Sequence, residues 1–401
     1  MSFVDNILLH YGWEGVALAA VLLLMSGVQF YYYVLLYGAV PGYRSSRRQP
    51  RLEKEPPVSV VIAMFAEDYD FIERRLPLIL AQEHVTFEVV LVYVGSNGDF
   101  YEDLQRIRND FPQVVVTKIE LNPRFPISPK MALNVGIKSA HYEHVILSTT
   151  DATPTSDRWL ALMAKGFTRS EVVLGYCGMA SCGASDSGET GDRQPKRAGA
   201  LAGYLIRTSR MMSSVDWIAS AVANRPWRGT RHSMGLTKKL YFGTSNGFGF
   251  LNMNIGEDDL FLQKIMTPDN TSVVLSPRAT LREKMWGGMR WWLDQQRFYG
   301  ATRRSYPRWV SSYLNWEMGS RTIFLLGVLC ALLFMPLEYK FGALLLLILR
   351  YAAVVLEVRR LSQRLGEEGI WGRYFLYDLW SPLQALWVKL SLQRKDPRVW
   401  R

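Results

Sequence analysis

Three long apolar segments divide the chain into a hydrophobic beginning, a mixed middle and a hydrophobic end. The first, from Gly15 to Tyr43, contains no Asp, Glu, Lys or Arg. Because about twenty apolar residues suffice to cross the hydrocarbon core of a bilayer, this segment predicts a transmembrane helix. A cleaved signal peptide is disfavoured, since the apolar run is too long and is preceded by Asp5 and Glu14 without any Lys or Arg.

The other two apolar segments run from Thr322 to Leu337 and from Phe341 to Val358, with Pro336 near the break between them. They predict a helical hairpin. Each arm is only about sixteen to eighteen residues long, so the hairpin either spans a thin bilayer or is re-entrant. Arg350 lies inside the second arm and is expected either to snorkel to the interface or to face protein.

Basic residues follow the first and the third apolar segments. They are Arg44, Arg47, Arg48, Arg51, Lys54, Arg359, Arg360 and Arg364. The positive-inside rule therefore predicts an N-terminus outside, with the middle of the chain and the C-terminus in the cytoplasm. The net charge of +11 suits an anionic partner. Because the basic residues concentrate beside apolar segments, we expect membrane lipids as partners and no nucleic acid.

The middle of the chain changes to short β-rich runs that alternate with amphipathic helices, which is typical of an α/β domain. Strand followed by helix, repeatedly, predicts a mostly parallel sheet whose ligands gather at the carboxyl ends of the strands. The sequence contains neither a Gly-x-Gly-x-x-Gly fingerprint nor a Walker phosphate loop, which disfavours a dinucleotide enzyme and a P-loop ATPase. The predicted strands are Val58–Ala63, Glu88–Val94, Val114–Lys118 and His144–Ser148.

Composition narrows the class further. A hydrophobic fraction of 49% with 21% charged residues excludes a globally disordered chain, and 13% aromatic residues point to membrane contact. The three cysteines are too few for a secreted disulfide framework and have no zinc-ligand spacing. We predict an anchor at 1–43, a basic linker at 44–56, an α/β domain at 57–280, interfacial amphipathic helices at 281–320, a transmembrane hairpin at 321–358 and a cytoplasmic amphipathic segment at 359–401.

Asp151 is the first candidate for chemistry. It follows the fourth predicted strand, and Pro154 and Trp159 come shortly after it. A hard divalent cation takes oxygen ligands, and one protein carboxylate can suffice when substrate phosphates complete its shell. The alternative is that Asp151 only caps the turn before a helix.

A row of three acids, Glu257, Asp258 and Asp259, precedes an apolar helical stretch. Like charges crowded at a pocket raise one another's pKa, as a general base near neutral pH requires. The same acids could instead complement a helix macrodipole. Upstream of this row, Arg231 or His232 could contact a phosphorylated acceptor or lie in a surface loop.

These blocks, in this order, resemble the membrane-anchored family 2 glycosyltransferases, which are inverting nucleotide-sugar enzymes with the Rossmann-like GT-A fold. The resemblance covers about Pro57 to Tyr299. It implies that Asp151 is the second acid of an Asp-x-Asp metal motif, with Thr149 in place of the first, and that it binds Mg²⁺ or Mn²⁺. It also implies that Asp258 is the catalytic base. The acceptor-binding residues that it implies are Glu257, Asp259 and Tyr299.

The donor site implied by the resemblance draws on several blocks. Glu67 looks like the end of the family's Asn-Glu strand, and Ser96 ends a segment similar to Asp-Asp-Gly-Ser in which Tyr93 and Val94 replace the acids. The segment from Asp294 to Tyr299 resembles the family's Gln-(Gln/Arg)-x-Arg-Trp motif, with its final pair altered; its alternative is an amphipathic helix at the membrane surface. The implied donor-binding residues are Glu67, Ser96, Lys130, Gln295, Gln296 and Arg297.

The resemblance predicts an integral protein of a bacterial inner membrane with a cytoplasmic catalytic domain. Its expected reaction is transfer, with inversion, of a sugar from a UDP- or GDP-sugar to a lipid-linked or cell-envelope glycan acceptor. Two alternatives stay open: a processive polysaccharide synthase, and a catalytically silent GT-A scaffold in a membrane complex.

Overall fold

The computed structural model describes residues 12–45, 49–84, 86–121, 127–180, 198–243 and 259–394. The predicted site residues Glu257 and Asp258 lie outside these ranges. The strands are β1 (Val58–Met64), β2 (Phe87–Val94), β3 (Val114–Ile119), β4 (His144–Thr149), β5 (Ala152–Pro154), β6 (Val172–Leu174), β7 (Cys177–Met179), β8 (Met234–Thr237), β9 (Thr271–Val273) and β10 (Leu281–Glu283).

Helices alternate with the strands and then dominate the end of the chain. They are α1 (Trp13–Phe30), α2 (Leu76–Leu80), α3 (Gly98–Asp110), α4 (Pro129–Ser139), α5 (Trp159–Phe167), α6 (Ala200–Val222), α7 (Lys238–Gly243), α8 (Leu262–Ile265), α9 (Met289–Gly300), α10 (Arg308–Phe334), α11 (Leu337–Arg364) and α12 (Tyr374–Arg394). A π-helical turn, Tyr31–Leu36, and a 3-10 turn, Tyr37–Ala39, extend α1.

The main sheet is mixed and has seven strands in the order β3-β2-β1-β4-β8-β6-β9. The four strands predicted from β-branched runs form its parallel half, β3-β2-β1-β4. Strand β8 runs antiparallel to both of its neighbours, β4 and β6. The parallel half therefore aligns the carboxyl ends of β1, β2 and β4 on one edge, where ligands bind in open α/β sheets.

Both faces of the parallel half are covered, which explains why its strands read as nearly continuous apolar runs. On one face, Phe71, Phe100 and Trp159 are fully buried against β1 and β2. On the other face, α4 packs so closely that a Cβ on Gly136 would fall 2.4 Å from Val61 and 2.8 Å from Val92. Only glycine permits this approach of helix to sheet.

A second sheet of three strands, β5-β10-β7, lies beside the carboxyl edge. Strand β10 pairs antiparallel with β5 and parallel with β7, and Glu283 lies opposite Ala152 and Met179. The pairing brings the end of β10 next to Asp151, which directly precedes β5. Three distant parts of the chain thus meet at one place.

Among the described residues, three helices are long and apolar enough to cross a membrane: Trp13–Ala39, Arg308–Phe334 and Leu337–Arg364. The predicted hairpin arms are therefore wrong in length, since the helices have 27 and 28 residues. Helix α10 begins inside the segment predicted to be interfacial, and α11 continues past 358. Both helices contain charged residues within their length. Glu317, Arg321 and Glu357 are buried against protein, so they do not end the helices.

These charges belong to a buried network that joins four helices. Arg350 on α11 donates to both carboxylate oxygens of Asp378 on α12, at 2.7 and 3.0 Å, and to Gln29 on α1 at 2.9 Å. Arg321 on α10 lies 3.6 Å from the same carboxylate and pairs with Glu317. Arg350 thus faces protein, and the helices are held together by satisfied buried charges as well as by apolar packing.

We expect Arg350→Ala to destabilise the protein by about 3 kcal/mol or more, because it leaves the Asp378 carboxylate buried with less compensation. Thermal unfolding in detergent micelles measures the effect. Leu349→Ala is the matched control, since Leu349 precedes Arg350 on α11 and is half exposed. Equal unfolding temperatures of the two variants would contradict a structural role for the network.

A second buried carboxylate ties the membrane helices to the sheets. Glu367, which follows α11, accepts hydrogen bonds from Tyr176 at 2.7 Å and from Arg207 at 3.2 Å, and it also pairs with Arg282 on β10. A Cβ on Gly178 would overlap Arg282 and Glu367. Arg282 immediately precedes Glu283, so the end of α11 is connected directly to the second sheet.

Candidate functional site

Asp151 lies in the turn between β4 and β5, at the carboxyl edge of the main sheet. Its Oδ1 accepts a hydrogen bond of 2.5 Å from the Thr149 hydroxyl. The buried Arg75 donates to the Thr150 carbonyl, and the Lys284 backbone N–H donates to the Asp151 carbonyl at 2.9 Å. The turn that carries the carboxylate is therefore held by Thr149 at the end of β4, by Arg75 and by Lys284, which follows β10.

The Asp151 side chain is only 19% exposed and yet remains ionised. Burial raises its pKa, but the His232 ring, the Thr149 hydroxyl and Arg231 outweigh burial, so the pKa is lowered overall. Thr149, which stands where the resemblance has a first acid, thus supplies a donor to Asp151. The result is a carboxylate fixed in position near the surface.

His232 and Glu283 face Asp151 from two other segments. His232 Nε2 lies 3.7 Å from Asp151 Oδ1 and 3.5 Å from Glu283 Oε2. The ring is fully buried, and desolvation lowers the pKa of His232 to about 3, so the imidazole is neutral. A neutral imidazole beside two carboxylates can donate a hydrogen bond or bind a cation.

Cys177 completes a cluster with His232 and Glu283 in which the ligand atoms all lie within 4.8 Å of one another. Burial raises the pKa of the Cys177 thiol, and Arg210 only partly offsets that. Mg²⁺ and Mn²⁺ favour oxygen ligands over sulfur. Of this cluster, Glu283 is the ligand best suited to these cations, and Asp151 lies on the other side of His232.

His232 lies between the Asp151 and Glu283 carboxylates, but the described residues whose ligand atoms all lie within 4.8 Å of one another are Cys177, His232 and Glu283. Asp151 is therefore the carboxylate that faces the donor edge by itself, and substrate phosphates would complete the shell of a cation there. His232 Nε2 is buried and donates no hydrogen bond to any of the described residues. The other ring nitrogen, Nδ1, lies 3.0 Å from the Thr230 hydroxyl and 3.2 Å from the Arg210 guanidinium. Because a guanidinium can only donate, Nδ1 accepts, and the proton of the neutral ring lies on Nε2, facing the carboxylates of Asp151 and Glu283.

Arg210 sets the charge balance of the site. Its guanidinium lies 2.8 Å from Glu283 Oε2 and 3.2 Å from His232 Nδ1. Against the opposing effect of burial, Glu283 and then Tyr299 raise the pKa of Arg210, and Tyr299 is also hydrogen bonded to it. Arg210 thereby connects the residues around Asp151 with Tyr299, a predicted acceptor-binding residue.

Glu283 is the group of this site that titrates near neutrality. Burial, and secondarily Asp151, raise its pKa to about 6, although Arg210 and Arg231 lower it. The carboxylate form grows as pH rises. We therefore expect cation-dependent donor binding to strengthen from about pH 5 to about pH 7.

Isothermal titration at several pH values measures this dependence. Glu283→Gln, which cannot ionise, should bind weakly with a flat profile over the same range. A profile of the unaltered protein that is already flat would remove Glu283 from the site.

The predicted donor residues lie along the same edge. Glu67 is exposed after β1 and accepts a hydrogen bond of 2.9 Å from the Tyr93 hydroxyl, which also accepts from the Asn97 N–H at 3.3 Å. A Cβ on Gly95 would overlap the Tyr93 ring. Ser96 is exposed beside them. Tyr93, in place of an acid, thus orients Glu67 at the end of β2.

The remaining predicted residues lie on α4 and α9. Lys130 is buried in the first turn of α4, where Ser128 caps the helix by accepting from the Met131 N–H at 3.2 Å. Gln295, Gln296 and Arg297 are partly buried on α9. No contact described for these four residues tests a donor role, so that role remains a prediction.

Asp259 and Tyr299 lie together near the end of α9. Asp259 is buried, and its Oδ2 accepts from Thr302 at 2.5 Å and from Tyr306 at 2.6 Å, while its Oδ1 accepts from the Leu260 N–H at 2.5 Å. The Arg228 guanidinium lies 5.0 Å from the centre of the Tyr299 ring. These contacts give Asp259 a positioning role and leave Tyr299 beside the arginines.

The structure brings Asp151 and Tyr299 into one neighbourhood through Arg210 and His232. Sequence reasoning missed Glu283, Cys177 and Arg210, and it considered His232 only as an acceptor contact. No local motif marks these residues, because β10 pairing and the turn before β8 create their contacts. A single buried acid at the end of a three-residue strand carries no distinguishing pattern.

Neither a protein-family model nor a curated protein sequence matches this chain. Solved structures do. The mannosyltransferase PcManGT from Pyrobaculum calidifontis, in complex with GDP-Man and Mn²⁺, matches with a TM-score of 0.50 and 14% identity over 91% of this chain and 99% of that one. S. aureus TarS 1–349 in complex with UDP gives a TM-score of 0.37 and 15% identity over 84% and 91%, too low to support an inference. The first match confirms that the chain has a glycosyltransferase-type fold.

Proposed function

We propose that this protein is a membrane-bound glycosyltransferase that moves a sugar from a nucleotide-sugar donor to a lipid-linked or cell-envelope acceptor, with inversion. One observation carries the proposal: Asp151, His232 and Glu283 converge at the carboxyl edge of a glycosyltransferase-type fold. Each comes from a different segment, so their convergence is a property of the fold.

The donor is a UDP- or GDP-sugar, bound along the edge that carries Glu67, Ser96 and Asp151. The similar mannosyltransferase, solved with GDP-Man and Mn²⁺, supports this class of donor. Mg²⁺ or Mn²⁺, when bound, would neutralise charge that develops on the leaving diphosphate. Asp151, together with the phosphates of the donor, would hold it, with His232 and Glu283 beside it.

The protein's own residues perform the other steps of the reaction, which are proton removal and positioning of the acceptor. Asp258 removes the proton of the acceptor hydroxyl, in the role that the family resemblance implies. Hydrogen bonds from Thr302 and Tyr306 hold Asp259, the residue that follows the proposed base, in a fixed position. Arg210 and Tyr299 line the neighbouring part of the site. In-line attack on the anomeric carbon from the side opposite the diphosphate inverts its configuration.

The three candidate spans support a reaction at a membrane surface. A water-soluble donor can then meet an acceptor whose tail stays in the bilayer. The positive-inside rule supports a cytoplasmic catalytic domain in a bacterial inner membrane, with the N-terminus outside. Helix α9 as the interfacial helix and the basic linker at 44–56 complete this arrangement.

Transfer to a lipid extract in nanodiscs tests the proposal. Radiolabelled UDP- and GDP-sugars are supplied with Mg²⁺ or Mn²⁺ or with a chelator, and the product is analysed by mass spectrometry and by NMR of the anomeric proton. We expect a metal-dependent glycolipid of inverted configuration. Long polymers would instead identify a processive synthase, and failure to bind any nucleotide sugar would identify a silent scaffold.

A further inference from the structure

The last helix, α12, has polar residues on its buried face and large apolar residues on its exposed face. Tyr377, Asp378, Ser381 and Gln384 are all at most 8% exposed. The residues on the other side recur at helical spacing and cover roughly 120° of the helix circumference. This α12 stripe, between 41% and 60% exposed, consists of Phe375, Leu379, Leu383, Leu386, Trp387 and Leu390.

The buried polar face fixes the rotation of the helix. Asp378 accepts from Arg350 and from Tyr351 at 2.9 Å, and Ser381 accepts from Arg321 at 2.5 Å. Rolling α12 to bury its stripe would break these bonds and leave buried charges without partners, which is strongly unfavourable. The stripe is therefore held outward.

The same contacts fix the position of α12 relative to the membrane helices. Arg321 and Arg350 lie within two of the candidate spans, Arg308–Phe334 and Leu337–Arg364. Since Asp378 contacts both arginines, α12 packs beside the spans themselves. The exposed apolar side chains of α11, such as Leu349 and Leu356, lie on the neighbouring span.

Polar residues facing the interior and apolar residues facing outward are the arrangement of a helix in lipid, because hydrocarbon offers no partner for a polar group. In water, a contiguous apolar patch of this kind is unfavourable. We propose that the α12 stripe contacts lipid acyl chains, which makes α12 a fourth membrane-embedded helix beyond the three candidate spans. The exposed Lys389 near its end suits the phosphate of a headgroup.

Helix α12 also connects the proposed lipid contact with the candidate site, because it packs against α9. The helix packs against the end of α9, where a Cβ on Gly300 would lie 3.2 Å from both Val388 and Leu392. Helix α9 carries Gln295 to Tyr299. The bilayer therefore supports α9 through a single intervening helix, whatever reaction the site performs.

Photo-crosslinking in vesicles of phosphatidylcholine tests the proposal with the full-length protein. Benzoylphenylalanine replaces Leu383 or, independently, Leu386 on the stripe. The positive control is Leu326, exposed on the span α10, and the matched negative control is Phe111, an exposed aromatic residue of the α/β part. After irradiation, mass spectrometry quantifies phospholipid adducts, and gel filtration verifies that each variant elutes as the unaltered protein does.

Adducts at Leu383 and Leu386 should match those at Leu326 and exceed those at Phe111 by roughly tenfold or more. Yields as low as at Phe111, with Leu326 still labelled, would place α12 in water and overturn the proposal. Crosslinks to a second copy of the chain in place of lipid would also overturn it, because the stripe would then be a protein interface. Two positions are used so that a folding defect in one variant leaves the other to decide.

Discussion

Asp258→Asn is expected to abolish sugar transfer while leaving donor binding unchanged. The substitution keeps the size of the side chain but removes the basic carboxylate, and general-base catalysis contributes roughly 100- to 10,000-fold. Single-turnover rates with a labelled nucleotide sugar measure the loss, and titration of the donor measures binding. The two readouts separate a defect in proton transfer from a defect in folding.

The neighbouring Asp259 provides the matched control. Its oxygens accept from Thr302, Tyr306 and the Leu260 N–H, so Asp259→Asn should lower the unfolding temperature and reduce turnover only in part. Unchanged turnover in Asp258→Asn would remove the base assignment. The same loss from both substitutions, with both proteins unfolded, would show that the segment matters for stability alone.

Asp151→Asn should weaken metal-dependent donor binding by at least about 100-fold, since even the groups that orient a metal ligand account for roughly 10- to 100-fold. The change is nearly isosteric and retains an oxygen for the Thr149 hydroxyl. Binding of Mn²⁺ alone and of the donor with Mn²⁺, both by calorimetry, distinguishes loss of the ion from loss of the nucleotide.

Two further substitutions sharpen this test. Asp157 lies on the following turn and is exposed, so Asp157→Asn should bind Mn²⁺ and the donor as the unaltered protein does. Thr149→Val removes only the 2.5 Å hydrogen bond to Asp151 and should cause a smaller, roughly tenfold loss. If Asp151→Asn and Asp157→Asn bind Mn²⁺ equally well, the cation site lies elsewhere.

The local sequence pattern was sufficient to predict the parallel half of the main sheet. Strands β1, β2 and β4 consist largely of Val, Ile and Leu buried on both faces, and such runs have few alternatives, whereas the edge strand β3 begins with three Val residues and is only partly buried. The position of Asp151 at a strand end followed from them. Strands β6, β9 and β10 have only three residues each, and their pairing depends on distant partners, so no local signal could place them.

The lengths of the candidate membrane-spanning helices could likewise not be predicted from the local sequence alone. Arg321 made the first apolar arm look short, because two of its partners, Ser381 and Tyr33, lie 60 and 288 residues away along the chain. Arg350 meets Gln29 and Asp378, which lie 321 and 28 residues from it. Once those partners are known, the polar positions extend the helices and no longer interrupt them.

The carboxylate that joins α11 to β10 decides what piece of this protein can be studied by itself. Glu367 is the buried counter-ion of Arg282 and Arg207. A truncation that ends before α10, in search of a soluble catalytic fragment, would leave these two guanidinium groups without it, next to Glu283. Such a fragment should be poorly folded around Glu283, so a fragment suited to crystallography or enzymology must retain Glu367.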